Sequence, residues 1–316
     1  MVDIGADLTA RAMKSKHGAL LALGTLLFAA YLFRLDWTAV LRSRAEFPIA
    51  AVVVILCLNF LTGLIKLLRW NYLLQSRGIP AVHSRFDEYL AINAGFFLGL
   101  VTPGTSGELA RGAFSEVEGS RSVAIVGFEK ISDLGVLLLM VAGSAVVQLT
   151  AGSTSWIASI AILVTTLAAY LLFLQYDRLV TAPFKWLLDR FGSPKQFETA
   201  RGIYWEFFEL LRDRKALLAS AGFSILLWVL PVLQMHMILG SAGGHVPLKT
   251  SAFVFLFPYL IGILSMIPAG IGVFDLAADQ VGGRALEMAG AFNSMGSLAP
   301  LYFRILVTIP LIVLGY

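Results

Sequence analysis

Long apolar runs alternate along this chain with short stretches that hold most of its charge. The first run, GALLALGTLLFAAYLF at 18–33, follows Arg11, Lys14 and Lys16. Basic residues ahead of an apolar core also mark signal peptides, but no convincing small-x-small cleavage site follows, so the run reads as an uncleaved first span. A second span covers about Phe47 to Leu68 and ends in KLLRW. An apolar stretch at 88–114 follows, interrupted by Pro103 and Gly104. Spans near 121–149 and 155–174 are joined by the uncharged turn TAGSTS, and another span covers 216–239. A second interrupted stretch occupies 250–290, and a last span runs over about 297–316. Because roughly 20 mostly apolar residues cross a bilayer core, the pattern predicts an all-α polytopic membrane protein, with about six full spans and two re-entrant, broken-helix hairpins.

Residues 175–215 differ in character. Lys and Arg alternate there with Asp and Glu among aromatics, as in FKWLLDRF and IYWEFFELLRDRK. Such a stretch lies at the membrane interface, where Trp and Tyr rings settle and basic side chains meet lipid phosphates. It divides the chain into an N-terminal segment with the first helix (1–46), a first membrane repeat (47–174), this interfacial segment (175–215) and a second membrane repeat (216–316). The positive-inside rule places the N-terminus, the basic region 69–85 and the 175–215 segment in the cytoplasm, given that the first broken stretch returns to its own side. Arg34, Arg42 and Arg44 then fall on the opposite side, against the rule.

Composition narrows the chemistry. Charged residues are 14% of the 316 and hydrophobic ones 58%, against about 25% charged in a soluble domain. The single cysteine, Cys57, lies in an apolar run as a lipid-facing or packing residue, so neither an internal disulfide nor a cysteine metal site is available. His17, His83, His236 and His245 show none of the close spacings of zinc enzymes. No GxxxxGK[ST] loop occurs, which removes ATP hydrolysis by that route. The net charge of +4 sits mostly in loops and speaks to orientation rather than to nucleic acid. No cofactor or metal is expected.

The two interruptions match each other. VTPGTSGELAR and MIPAGIGVFDLA each set Pro four residues before Gly, Pro103 to Gly107 and Pro268 to Gly272, followed by an acid, Glu108 or Asp275. Proline ends a helix and glycine lets the chain turn or lets another backbone approach. At membrane depth, irregular backbone is tolerated only against protein or a water-filled cavity, so both breaks are expected to face the interior. Two proline kinks in long helices would also fit. Paired interruptions in corresponding positions of two halves instead point to a transporter's midplane site, and an odd number of spans per unit would invert the second half. The comparison leaves one span unmatched after Tyr316, as a truncated chain or an incomplete repeat would.

NAGFFLGLVTPGTSGELARGAF, FEKISDLGVLLLM and IPAGIGVFDLA together resemble the lysylphosphatidylglycerol synthase transmembrane-region family, also called flippase-like integral membrane proteins. The resemblance rests on a TPG-x-x-GE-x-x-R loop, an E-R/K-x-x-D-L helix and a P-x-GIG-x-x-E break, and extends from about Leu61 to Arg304. Asp275 stands where that family usually carries glutamate. The resemblance implies a stand-alone member, lacking the soluble aminoacyl-transferring domain, that moves an envelope lipid between leaflets of a bacterial inner membrane.

Charges inside the apolar stretches are the candidate site. An ionisable residue at the bilayer centre costs about 2.5–3.5 kcal/mol even on the lenient scale. Glu108 and Arg111 share a face of any helix after the first break, while Glu129 and Asp133, with Lys130 between them, cannot both ionise cheaply without a cation. Arg304 is the lone charge of the last span. These residues, with Pro103, Gly104, Gly107, Pro268, Gly270, Gly272 and Asp275, either neutralise one another as a structural lock or line a polar path for a lipid headgroup. In the second case Arg111 offers a phosphate its planar fork of donors, and a half-helix starting near Gly104 adds free N–H groups.

Two rival classes remain. An intramembrane transferase would use an acidic pair such as Glu116 and Glu118, which also fits a solvated helix end. A non-transporting partner subunit would act only beside envelope-lipid biosynthesis enzymes. Gly95 and Gly99, four apart, suit either close internal packing or a homodimer.

Overall fold

The computed structural model describes residues 22–38, 47–79, 84–113, 117, 119–149, 194–241, 246–288 and 295–315. The expected span at 155–174, the TAGSTS turn, all of 175–193, His17, His83, His245, Arg42, Arg44, Glu116 and Glu118 lie outside them. All regular structure among the described residues is helical. In order these are α1 (Ala22–Arg34), α2 (Ile49–Ser76), α3 (Arg85–Val101), a 3₁₀ segment (Pro103–Ala113) and α4 (Gly119–Leu149). Then come α5 (Pro194–Arg212), α6 (Arg214–Gly240), α7 (Leu248–Leu264), a tight turn at Pro268–Gly270 and α8 (Val273–Met288). The chain closes with α9 (Met295–Phe303), a π-helical turn (Arg304–Thr308) and α10 (Ile309–Gly315).

Local chemistry sets several boundaries. Ser84 caps α3 by accepting the Asp87 N–H, and Asp213 caps α6 by accepting from Lys215 and Ala216. That second cap separates the amphipathic α5 from the apolar α6. Three helices, α2, α4 and α6, are each long and apolar enough to cross a bilayer, and their outward residues suit lipid. Along α2, for instance, Ile49, Val53, Leu56, Phe60 and Leu68 all face outward, as does Cys57. In water so many exposed apolar side chains would drive aggregation, whereas hydrocarbon is their natural solvent.

Helix α2 runs two turns beyond its expected end at Leu68, so Arg69 lies within the helix and is 2% exposed, rather than in an aqueous loop. The reason is a partner: carboxylates on α4 meet it, as described below.

Both interruptions are hairpins rather than kinks. Along the first, Gly95 faces Arg111, Leu98 faces Gly107 and Gly99 faces Glu108, so the 3₁₀ segment runs back along α3. At the second, Gly262 abuts Gly270, and Phe255 and Tyr259 of α7 meet Phe274 of α8. The two hairpins pack on each other at their breaks, while α2 packs on α6 and α4 on α7. One core cluster, including Phe255, Phe274, Phe303 and Met235, surrounds the second break, and another, including Trp70, Ile92, Phe128 and Leu210, supports the first.

A polar clamp joins these helices in the apolar interior. Pro310 has no N–H to give the carbonyl of Leu306 one turn earlier. The Asn59 amide donates to that carbonyl instead, at 2.9 Å, and accepts from Gln234 at 2.8 Å. A carbonyl left bare in hydrocarbon would cost several kcal/mol by order of magnitude.

Candidate functional site

At the first break the chain leaves α3 through Thr102, whose hydroxyl donates to the Leu98 carbonyl at 2.8 Å and accepts the Gly107 N–H at 2.6 Å. The left-handed residue is Thr105 (φ 60°), not a glycine, and for a β-branched side chain that conformation is strained. Gly107 is needed for space. A Cβ there would stand 2.3 Å from the Leu98 carbonyl oxygen. Gly95 and Gly99 are used the same way, seating the side chains of Arg111 and Glu108, so this small-residue face is filled within the chain.

The segment after the break is 3₁₀ rather than the expected α half-helix. Residues three apart eclipse in that geometry, which stacks Glu108 and Arg111 at 3.7 Å. Arg111 lies over the Trp70 ring at 4.9 Å and donates to Glu129 at 2.9 Å. Glu108 takes Lys130 at 2.6 Å. Arg69 stands between the two α4 acids: Nη1 meets Asp133 at 2.6 Å, Nη2 meets the Glu129 carbonyl at 2.7 Å, and Nε lies 3.7 Å from the Glu129 carboxylate. Asp133 accepts also from Ser224, and the Trp228 indole donates to its carbonyl, tying α6 to the cluster.

At the second break the left-handed residues are Met266, Ala269, Gly270 and Gly272. A Cβ on Gly272 would stand 2.5 Å from the Phe28 nitrogen, so α1 lies directly on this turn. Asp275, fully buried, caps the start of α8 by accepting the Gly272 N–H at 2.9 Å and holds Arg304 through two bonds of 3.0 and 3.1 Å. Arg304 also donates to the Ala269 and Gly270 carbonyls, so the turn's exposed acceptors are satisfied by the residue that otherwise seemed unpaired. The shorter Asp275 side chain reaches both partners.

Between the hairpins lies a cavity of about 300 Å³, at the lower end of the size of small-ligand sites. Glu108, Arg111, Glu129, Lys130, Asp133, Gly270 and Arg304 line it. Pro103, Gly107, Pro268, Gly272 and Asp275 are not among the lining residues; they belong to the two breaks behind its walls. Aromatic and aliphatic groups, among them Trp228, Phe255, Tyr259 and Ile263, form most of its remaining surface. An amphiphile can therefore place polar atoms on one side and hydrocarbon on the other.

Two charged lining residues escaped the sequence reading, Lys66 and Arg69. Asn59, Thr62, Lys66 and Arg69 all face the cavity at spacings of three, four and three residues. A polar stripe at helical period inside an apolar run was the available signal, obscured by ending the span at Leu68. With Lys66, the walls carry the cations Lys66, Arg69, Arg111, Lys130 and Arg304, against Glu108, Glu129, Asp133 and, behind Arg304, Asp275. Among the described residues no three His, Cys, Asp or Glu side chains converge as a metal site requires.

Comparison with known proteins agrees with this architecture. A family profile described as "Lysylphosphatidylglycerol synthase TM region" matches residues 19–315. A UPF0104 membrane protein of Pyrococcus horikoshii is 24% identical over 268 residues, 77% of this chain and 78% of that protein. A UPF0104 membrane protein of Methanothermobacter thermautotrophicus is 29% identical over 66 residues, 21% of this chain and 20% of its own. The match extends over both hairpins and the helices that carry the charge cluster, and the chain belongs to the lysylphosphatidylglycerol synthase transmembrane-region family.

Proposed function

We propose that this protein moves a lipid with a phosphate-bearing or glycosylated headgroup between the leaflets of a cell membrane. The headgroup occupies the central cavity while the acyl or prenyl tails stay in hydrocarbon. The observation that carries this reading is a mainly apolar cavity built where two helix breaks meet, with five cationic side chains on its walls. Ion pairing as a structural lock is the weaker account, since buried pairs seldom stabilise more than apolar packing would.

In this mechanism the two membrane halves act as inverted repeats that rock about the cavity and open it to each leaflet in turn. The packing of α2 against α6, each the helix preceding its half's broken hairpin, supports the pairing. The N-terminus and the 175–215 segment face the cytoplasm in this orientation. The chemistry asked of the protein is binding and release, with the lipid unchanged. The experiment is translocation in proteoliposomes, read as protection of a headgroup-labelled phospholipid from an impermeant quencher. Arg111→Gln, and Arg304→Gln combined with Asp275→Asn so that no buried carboxylate is orphaned, are each expected to slow transfer at least tenfold while the protein stays folded. Wild-type rates in both variants would dispose of the proposal, and a chemically altered lipid would replace it with a transferase.

A further inference from the structure

We infer that the headgroup carries net negative charge and that its phosphodiester seats on Lys66, a deepening that rests on the lipid-binding reading above. Every other cation on the cavity wall is matched. Arg69 pairs with Asp133, Arg111 with Glu129, Lys130 with Glu108 and Arg304 with Asp275. The Lys66 ammonium has no hydrogen bond, and no carboxylate within 4 Å, among the described residues. Its close neighbour is the Phe96 ring, whose centroid is 3.5 Å away.

The position makes solvation by bulk water an incomplete account. Lys66 lies ten residues before the end of α2, hence about 15 Å inside the helix end at 1.5 Å per residue. A long side chain near a helix end can reach the interface, whereas this one turns into the cavity beside the cluster. The charges that act on it most strongly are Glu108, Lys130, Arg111 and Asp133, and those are committed to one another or to Arg69. A cation–π contact offsets only part of what an unmatched ammonium loses on leaving water.

Among the described residues the excess is a single positive charge, so a headgroup with one net negative charge neutralises it. A zwitterionic headgroup leaves the imbalance, and a cationic one worsens it. The Phe96 face guards one side of the ammonium, leaving its remaining donors for phosphate oxygens. Lysine suits this role as a compact point charge on a flexible stem.

The test is native mass spectrometry of the purified protein with an equimolar mixture of dioleoylphosphatidylglycerol and dioleoylphosphatidylcholine. Wild-type protein is expected to retain the anionic lipid at least tenfold over the zwitterionic one. Lys66→Gln should bring the ratio near one, and Lys66→Arg should restore most of it. Because Lys66 makes no hydrogen bond or ion pair with the described residues, Lys66→Gln should melt no lower than wild type, which separates a lost site from a lost fold. Equal retention of both lipids by wild type, or a preference that survives Lys66→Gln, would overturn the inference. So would saturable binding of inorganic phosphate at Lys66 with no lipid retained, since the bearer of the anion would then be soluble. Binding is read here without transport, so the two readings fail separately. A protein that prefers the anionic lipid but moves none in vesicles sinks transport, and one that moves both lipids equally sinks the charge selection.

Discussion

The Asp275–Arg304 pair allows a prediction in which the two single mutants should differ in a calculable order. Asp275 is wholly buried, whereas the Arg304 side chain is 13% exposed and touches the cavity. Removing one partner of a buried pair costs about 3–5 kcal/mol, most of it from the charge left behind. Arg304→Met strands a carboxylate that cannot reach water and also frees the Ala269 and Gly270 carbonyls, so it should fall at the top of that range or above. Asp275→Asn strands a guanidinium that keeps those two carbonyls and the cavity, and asparagine can still accept the Gly272 N–H. It should cost about half as much, or roughly 2 kcal/mol. The double variant should be less damaging than the sum of the singles by about 1.5–3 kcal/mol, because neither charge is then orphaned. Equilibrium unfolding in mixed micelles, followed by Trp fluorescence, measures all three. A cost for Arg304→Met equal to or below that of Asp275→Asn, or strict additivity, would refute the idea that the buried carboxylate is the expensive member.

Three further outcomes follow from single contacts. Gly107→Ala must push the two strands of the first hairpin apart, given the 2.3 Å approach to a backbone carbonyl, and should lower the melting temperature by several degrees. Gly143→Ala, with nothing within 4 Å, should leave it unchanged or raise it; equal effects of the two would contradict the packing described. Asn59→Leu should cost about 1–3 kcal/mol by baring the Leu306 carbonyl. Adding Pro310→Ala, which supplies an N–H one turn later, should recover part of the loss, and no recovery in unfolding measurements would reject that account of the clamp. Cys57 faces outward from α2 into hydrocarbon, where its thiol has no water to take up the proton, so a polar maleimide should leave it unlabelled in vesicles and label it once the protein is unfolded in denaturing detergent. Labelling by the polar reagent would place that face in water.

Local signals carried far in this chain because hydrocarbon leaves few options for a backbone. Apolar length announces helices, and a proline followed four residues later by glycine announces where a helix must stop. The family and the helical membrane architecture were legible for that reason. Arg69 shows the limit. Its neighbours Leu67 and Leu68 prolong an apolar run, but a guanidinium is admitted to the interior only when something there receives it. The receivers, Glu129 and Asp133, are 60 and 64 residues away.

Chain order and periodicity were thus enough to set the kind of solvent, most of the described helices and the two points of rupture, since each depends on residues within a few turns of one another. Which charge meets which was settled by folding. Ion pairs form through space, and only the packing of the helices decides that Arg304 answers Asp275, that Arg69 serves two acids, and that Lys66 faces the cavity without a carboxylate among the described residues.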